Sequence, residues 1–277
     1  MSVRISVIIP CYNQGQFLHD AISGIADSNV KDVEIIVIND GSTEAQTLAV
    51  LEHLQAPGLQ IIHQNNKGLA SARNAGLALA KGEFVLPLDA DNKIRPAYFR
   101  EGLAIMDGNP DVAVVYGMAE YFDGRSGPWN PGDFNLQKLM ISNYIDACAL
   151  IRKSVLDKVG WYDENMKFMG WEDWDRWLAI SFAGYRFHYL NMVCFDYRVT
   201  SGSMIKDLYG KYEKPNHLEN YVHSKYQHQM GHHWIMNYFT TRFKKNPLLF
   251  MVKLIIASWF PSYYQQLLRK NKIRNGI

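Results

Sequence analysis

Residues 84–91 read Phe84-Val85-Leu86-Pro87-Leu88-Asp89-Ala90-Asp91, an apolar run that ends in two carboxylates. The apolar part has the length and composition of a buried β-strand. Two carboxylates two residues apart, just beyond such a strand, can approach one hard cation, and Mg²⁺ and Mn²⁺ prefer oxygen ligands. By itself a D-x-D sequence is weak evidence for a metal site, because most copies are turn or capping residues.

Short apolar runs and helix-period segments alternate on both sides of this stretch. The runs are Ile5–Ile9, Val33–Ile38, Gln60–His63 and Val112–Tyr116. Between them lie segments with apolar residues at three- and four-residue intervals, Phe17–Ile25 and Leu48–Leu54, and the Ala-rich segment Leu69–Ala80. This alternation predicts βαβ units, and therefore an α/β fold with a mostly parallel central sheet and helices on both faces.

Three of the predicted strands run directly into polar, turn-forming residues. These residues follow the first, second and fourth strands, at Pro10–Gly15, Asn39–Thr43 and Asp89–Asn92. Ligands on parallel sheets bind outside the carboxyl ends of the strands, so we expect these residues to line one polar cleft. The sequence contains no Walker-type loop and no G-x-G-x-x-G loop, which excludes P-loop proteins and ordinary dinucleotide binders.

The composition is that of a globular protein from a reducing compartment. Of the 277 residues, 48% are hydrophobic and 20% are charged, which excludes an intrinsically disordered chain. The three cysteines are odd in number and widely spaced, so they predict neither a disulfide framework nor a metal site, and a cytoplasmic location is expected. The apolar run near the N-terminus is too short for a signal peptide.

Four segments, in order and at matching spacing, carry a resemblance to a known family. They are Ser6–Asn13, Ile36–Ser42, Gly68–Gly76 and Gly82–Phe84. From about residue 2 to about residue 203, the chain closely resembles glycosyltransferase family 2. The resemblance implies the GT-A fold, a nucleotide-diphospho-sugar donor, inverting transfer, and a D-x-D motif that binds Mn²⁺ or Mg²⁺. It also implies a transferase domain over residues 1–205, with a nucleotide-sugar-binding part at 1–118 and an acceptor-binding part at 119–205.

The resemblance assigns individual residues to the donor and to the cation. Those at the nucleotide-sugar are Pro10, Tyr12, Asn13, Asp40, Lys67, Arg73, Asp89, Ala90 and Arg198. Tyr12 would stack on the base, and Asp40 would accept a hydrogen bond from a uracil-like ring. Arg73 would lie near the base or the diphosphate, where its planar fork can pair with phosphate oxygens, and Lys67 is a weaker candidate for the same task. Asp91 is the expected direct metal ligand, with Asp89 beside it at the ribose and the metal.

The segment Gly170–Trp177 predicts the start of an amphipathic helix with acids in its first turn, where the helix dipole favours them. In family 2 a Glu-Asp pair at this place marks the catalytic base. The resemblance therefore implies that Asp173 accepts the proton of the acceptor hydroxyl. Glu172 is the alternative base, or it binds hydroxyl groups of the acceptor. Without the resemblance, these acids could serve only to complement the helix N-terminus.

The segment Tyr197–Ser203 resembles a further family element, in which a His follows a Tyr-Arg pair. Thr200 stands where that His is often found. If the His belongs to the metal shell in relatives, water or phosphate must take its place here. Arg198 is the expected diphosphate contact in this element.

Residues 206–277 are predicted to form a basic helical extension. From Asn220 to Ile277 the sequence has nine Lys or Arg residues and no Asp or Glu. The apolar stretch Leu248–Phe260 is shorter than the ~20 residues that span a bilayer, and basic residues flank it on both sides. This pattern favours a peripheral membrane contact through residues 242–274, with packing on its own domain as the alternative. Nucleic acid is not expected as a partner, because no nucleic-acid-binding fold accompanies the basic groups.

Together these features predict an enzyme that transfers a sugar from a UDP-sugar to a hydroxyl of a glycan or lipid-linked acceptor. The expected setting is the synthesis of a cell-surface polysaccharide at the cytoplasmic face of a membrane. Two alternatives remain open at this point: a non-catalytic nucleotide-sugar-binding protein, and a nucleotidyltransferase on a similar fold. The transferred sugar and the linkage depend on side chains that no motif specifies.

Overall fold

The computed structural model describes residues 3–28, 30–200, 213–231, 243–260, 262–264 and 266. The chain forms two compact units, Met1–Asp207 and Leu208–Ile277. The strands of the first unit are β1 (Ile5–Cys11), β2 (Val33–Asp40), β3 (Leu59–Gln64), β4 (Phe84–Pro87), β5 (Lys93–Ile94), β6 (Val112–Asp123), β7 (Gly127–Trp129), β8 (Leu150–Arg152) and β9 (Arg186–Val199). Its helices are α1 (Leu18–Ala26), α2 (Ala45–His53), α3 (Leu69–Leu79), α4 (Pro96–Gly108), α5 (Leu136–Ile141), α6 (Lys153–Val159) and α7 (Glu172–Phe182).

The strands of the first unit form one twisted sheet in the order β3-β2-β1-β4-β8-β6-β9-β5, with β7 paired to β6. The pairs among β1 to β4 are parallel, as the alternating sequence pattern predicts. The other half of the sheet is mixed, because β8 lies antiparallel between β4 and β6 while β6 and β9 are parallel. The sheet is therefore less uniformly parallel than the sequence predicts.

Helices pack against both faces of the parallel strands, which confirms the predicted layering. Successive residues of a strand point to opposite faces. In β2, Ile35 and Val37 belong to a core cluster that includes Leu18 of α1 and Leu51 of α2. The intervening Ile36 and Ile38 pack with Ala72 of α3 on the other face.

The polar ends of β1, β2 and β4 meet at one edge of the sheet. Cys11, the last residue of β1, pairs with Asn39 of β2, and the Leu88 N–H just beyond β4 donates to the Ile8 carbonyl at 2.9 Å. Helix α3 lies close to β1, because a Cβ on Gly76 would come within 2.4 Å of Ile8 Cγ2. This close approach carries Arg73, one turn earlier on α3, towards the same edge.

The second unit contains α8 (Glu213–Lys225) and α9 (Pro247–Trp259). Helix α8 and the turn after it bury Leu218, Val222, Tyr226 and Met230, which recur every four residues. None of the residues of α9 is buried. In the part of the chain that the structure describes, no helix is long and apolar enough to cross a bilayer. The sequence-based boundary between residues 205 and 206 lies outside the described residues.

Candidate active site

A cleft of about 530 Å³ opens at the carboxyl edge of β1, β2 and β4. It is lined by most of the residues that the sequence assigned to a donor, a cation or a base: Pro10, Tyr12, Asp40, Arg73, Asp89, Ala90, Asp91, Glu172, Asp173 and Arg198. Thr200 also lines it, whereas residues 201–203 of the same family element lie outside the described residues. Tyr12 is 49% exposed, so the face of its ring is accessible to a ligand.

Two residues predicted to contact the donor, Asn13 and Lys67, are not among those that line the cleft. The Asn13 backbone is left-handed (φ 53°), and its Oδ1 accepts hydrogen bonds from the N–H groups of Thr43 (2.8 Å) and Glu44 (3.1 Å). The side chain of Lys67 is exposed, and its backbone N–H donates to Asp40. Both residues therefore hold loops around the cleft in position, and a direct contact with the donor remains only a prediction.

The carboxylate of Asp40 is 3% exposed and holds the loop between β3 and α3. Its Oδ1 accepts from Gln64 Nε2 (2.7 Å) and from the Lys67 N–H (2.9 Å), and its Oδ2 accepts from the Gly68 N–H (2.9 Å). These bonds fix the loop between β3 and α3 to the end of β2. Whether an oxygen of Asp40 also accepts from a base remains a prediction.

Arg73 joins the loop after β4 to the start of α7. Its guanidinium is 2% exposed; Nη2 donates to Asp89 Oδ1 at 2.9 Å, and Nη1 donates to Glu172 Oε1 at 3.0 Å. Burial by itself would lower the pKa of Arg73, but the two carboxylates outweigh it and raise that pKa above its ordinary value. The Arg73 guanidinium, which was predicted to pair with phosphate oxygens, is thus bonded to carboxylates. A phosphate contact would have to use its remaining N–H groups.

The two acids at the start of α7 have different surroundings. Glu172 is 3% exposed; it accepts from Arg73 through Oε1 and from the Gly170 N–H through Oε2 at 2.7 Å. Asp173 is only half-buried, and its oxygens accept from the Trp174 N–H (2.7 Å) and from Asn143 Nδ2 (2.9 Å). Burial and the adjacent Glu172 charge raise the pKa of Asp173. A raised pKa makes this carboxylate a stronger proton acceptor.

The D-x-D carboxylates lie close enough to repel each other. Burial and the charge of Asp89 raise the pKa of Asp91 to about 6. A divalent cation between them would remove this repulsion, so the pair suits Mg²⁺ or Mn²⁺. Among the described residues, no group of three or more His, Cys, Asp or Glu side chains could hold a metal ion. Phosphate oxygens and water would therefore have to complete the coordination shell.

Arg198 has a supporting role that its sequence motif did not predict. Its guanidinium lies between the rings of Phe17 (4.5 Å) and Phe122 (4.3 Å). Nε donates to the Asp91 carbonyl oxygen at 3.0 Å, Nη2 donates to Asp20 at 2.5 Å, and Nη1 donates to Asp123. These contacts fasten the D-x-D loop to β9. Each guanidinium nitrogen already donates to a protein oxygen, so a diphosphate contact would have to use the remaining N–H groups and stays a prediction.

Asp146 lines the cleft although the sequence analysis did not assign it. Its Oδ1 accepts from the Cys148 N–H at 2.8 Å. Burial and the charge of Asp89 raise the pKa of Asp146 to about 7. No motif surrounds this residue, and only its position in the folded chain reveals it. Tyr197, also in the cleft wall, was noted only as part of the Tyr-Arg element.

Comparison with known proteins identifies the family. The model described as glycosyl transferase family 2 matches residues 6–160. The chain belongs to this family. An uncharacterised glycosyltransferase of Rickettsia typhi is 30% identical over 233 residues, which are 79% of this chain and 70% of that protein. The family 2 chain is therefore a glycosyltransferase, as predicted.

Solved structures confirm the GT-A fold of this family 2 glycosyltransferase. Staphylococcus aureus TarS (residues 1–349, in complex with UDP) has a TM-score of 0.58 and 22% identity. The match covers 72% of this chain and only 61% of that TarS chain. The mannosyltransferase PcManGT of Pyrobaculum calidifontis, in complex with GDP-Man and Mn²⁺, has a TM-score of 0.56 and 18% identity over 81% of this chain and 69% of that one. At these identities the likeness concerns the fold alone.

Replacement of Arg73 tests whether its ion pairs hold the cleft together. Arg73→Met removes the charge that balances buried Glu172, and removing one partner of a buried pair costs about 3–5 kcal/mol of unfolding free energy. In the double variant Arg73→Met/Glu172→Gln the uncompensated charge is gone, so part of the loss should be recovered. Urea denaturation followed by circular dichroism measures both values.

Arg100→Met is the matched control, because Arg100 is 72% exposed and forms an ion pair with its neighbour Glu101. Its unfolding free energy should change by less than about 0.5 kcal/mol. An equal loss in the single and double Arg73 variants would show that the Glu172 charge does not depend on Arg73.

Proposed function

We propose that this glycosyltransferase is an inverting enzyme that transfers a sugar, a hexosyl or related group, from a UDP-sugar to a hydroxyl of a glycan or lipid-linked acceptor. The observation that carries the proposal is that Asp91 and Asp173 line the same cleft. Asp91 supplies a ligand for a phosphate-bound cation, and Asp173 supplies the proton acceptor. A sugar held between them would be in reach of both.

The donor end of the cleft is formed by the loops after β1, β2 and β4. Tyr12 offers an accessible ring for a nucleobase, and Asp89 with Asp91 offers oxygen ligands for a cation. A divalent ion bound there would offset the negative charge that collects on the departing diphosphate. The UDP complex of TarS and the GDP-Man and Mn²⁺ complex of PcManGT, on the same fold, support a nucleotide-sugar donor.

At the acceptor end, Asp173 is the better candidate for the base. Both oxygens of Glu172 are engaged by Arg73 and by the Gly170 N–H in a buried position, whereas Asp173 is partly exposed in the cleft. As the acceptor oxygen bonds to the anomeric carbon, its proton passes to the Asp173 carboxylate. The bond between the anomeric carbon and the diphosphate oxygen breaks on the opposite face, and its electron pair leaves with the diphosphate. The configuration at the anomeric carbon is therefore inverted.

An aromatic cluster that includes one residue of the cleft wall supports a glycan acceptor. Tyr197 lines the cleft and meets Trp129 edge-on at 6.0 Å, and Trp129 stacks with Tyr121 at 6.4 Å. All three side chains are partly exposed. Aromatic faces of this kind provide broad apolar contact for the faces of sugar rings.

Asp173→Asn separates donor binding from catalysis. The change removes the proton acceptor but keeps the side-chain shape, so the Kd for UDP should stay within about twofold while transfer falls by ~10²–10⁴. Calorimetry measures UDP binding. Release of UDP from the donor measures either transfer to an acceptor found by screening or, without an acceptor, slow hydrolysis of the donor. Exposed Asp27→Asn, at the end of α1, is the matched control and should change neither quantity.

Full activity of Asp173→Asn would remove the base assignment. A wild-type protein that binds UDP-sugars without transfer or hydrolysis would instead indicate a non-catalytic binding protein. Release of pyrophosphate from a nucleoside triphosphate and a sugar phosphate would indicate a nucleotidyltransferase.

Asp91→Asn tests metal dependence. Ligand binding to the native state stabilises it by about 2.7 kcal/mol at one hundred times Kd, so UDP with Mn²⁺ should raise the Tm of the wild type. EDTA should remove most of this rise. In Asp91→Asn the Mn²⁺-dependent part should be lost, because a ligand of the cation and a negative charge are gone. A Tm rise in this variant equal to that of the wild type would contradict a metal site at Asp91.

We further propose that the second unit binds an anionic membrane surface from the cytoplasmic side. Most apolar side chains of α9 are exposed, and Leu248 and Trp259 are each 78% exposed. Lys253 of α9 and Lys244 and Lys245 just before it add positive charge. Apolar area combined with basic groups is what binds a surface of anionic lipids. Residues 242, 261, 265 and 267–274 of the predicted segment lie outside the described residues. All three cysteines are free and buried, in keeping with a reducing compartment.

Vesicle sedimentation with the full chain tests this proposal. Binding should require anionic phospholipid and weaken with salt. Leu248→Glu/Trp259→Glu should reduce partitioning by roughly tenfold or more, because each large apolar side chain contributes about 1.5–3 kcal/mol on burial. Leu48→Glu, at an exposed apolar position of α2, is the control and should bind like the wild type. Unchanged vesicle binding by the double variant would overturn the proposal. A lowered Tm of the double variant would also overturn it, because it would indicate that these side chains pack on their own domain.

A further inference from the structure

We infer that Asp146 binds hydroxyl groups of the transferred sugar and that the cleft around it selects neutral sugars over uronic acids. The inference rests on the proposed function, since it concerns the donor of that reaction. It assigns a specificity-determining residue at a position that carries no family motif.

Asp146 lines the same cleft as Asp89 and Asp91 of the donor end and Asp173 of the acceptor end. The loop that carries it is fastened to α7, because the Trp177 indole N–H donates to the Ile145 carbonyl at 3.0 Å. In a displacement reaction the anomeric carbon lies between the leaving diphosphate and the entering hydroxyl. The sugar ring must therefore occupy the part of the cleft beside Asp146.

One oxygen of Asp146 is available to a ligand. Oδ1 accepts from the Cys148 N–H at 2.8 Å, which fixes the direction of the carboxylate. No donor among the described residues bonds Oδ2. Sugar hydroxyl groups are hydrogen-bond donors, and a carboxylate is a strong acceptor for them. A neutral sugar would thus supply the donor that the protein does not.

The charges around this position oppose a second carboxylate. Asp89, Asp91, Asp146, Glu172 and Asp173 all line the cleft. The basic side chains among the lining residues are Arg73 and Arg198, and both already donate to protein carboxylates. The carboxylate of a uronic acid beside Asp146 would therefore meet like charge, while both basic side chains of the lining are already engaged by carboxylates. Like charges brought together in this way discriminate against the wrong ligand.

The test compares matched donors that differ only in the charge of the sugar. Calorimetry with Mn²⁺ gives the Kd of UDP-glucose and UDP-glucuronate, and of UDP-galactose and UDP-galacturonate; in each ratio the nucleotide contribution cancels. The wild type should bind the uronate at least about tenfold more weakly in each pair. In Asp146→Asn, which keeps an oxygen for the Cys148 N–H, the ratio should fall to within about threefold of one. Should GDP bind in place of UDP, GDP-mannose and GDP-mannuronate provide the same ratio.

Two further variants make the result specific. Asp146→Glu keeps the charge but moves the oxygens, so it should still reject uronates while binding neutral sugars several-fold more weakly. Asp27→Asn removes an exposed acid and should leave every ratio unchanged. The ratio in the wild type and in Asp146→Glu can be measured even if Asp146→Asn fails to fold.

Two results would overturn the inference: a wild type that does not discriminate within the pairs, or an Asp146→Asn variant that folds and keeps the wild-type ratio. Failure of the proposed function is a different observation, namely that neither UDP nor GDP binds to the wild type. Binding of UDP with an unchanged ratio would remove only the role of Asp146.

Discussion

The buried guanidinium of Arg73 bonds Asp89 with one nitrogen and Glu172 with another, and these ion pairs hold the cleft together. Neither Arg73 nor Glu172 has water to solvate its charge, so each depends on the other. Asp91 follows two residues after Asp89, and Asp173 comes directly after Glu172. The same guanidinium therefore sets the separation between the proposed cation ligand and the proposed base. Through this contact the proposed nucleotide-binding and acceptor-binding parts of the first unit share one cleft.

The cleft has more acid than base, and this imbalance connects its proposed properties. Burial and mutual repulsion raise the pKa of Asp91, Asp146 and Asp173. Such an arrangement is unfavourable for an empty cleft, and it is typical of sites where charge is needed for chemistry. A cation at the D-x-D pair and a proton moving to Asp173 would each reduce the repulsion, and a neutral sugar beside Asp146 would add none. A further anion would increase it.

Several motif residues hold loops in position as well as line the site. Asn13, Asp40 and Arg198 bond backbone groups of the loops after β2, β3 and β4. Beyond the ends of parallel strands the backbone has no ladder partners, so side chains must satisfy these groups. A motif residue that looks like a ligand contact in the sequence can therefore serve to place its neighbour. This explains why Asn13 belongs to a motif without lining the cleft.

The sequence alone was sufficient for the parallel half of the fold and for most of the candidate residues that line the cleft. Strands β1 to β4, the helices between them and the D-x-D loop are encoded by local patterns, because periodicity and strand-end composition reside in contiguous residues. The resemblance to family 2 then supplied Asp173 and Glu172. The mixed half of the sheet was not predicted, since β8 is three residues long and its partners β4 and β6 are distant in sequence. Only the tertiary structure revealed Asp146 and the pairing of Arg73 and Arg198 with carboxylates, because long-range packing brings these side chains to their partners and no local pattern records it.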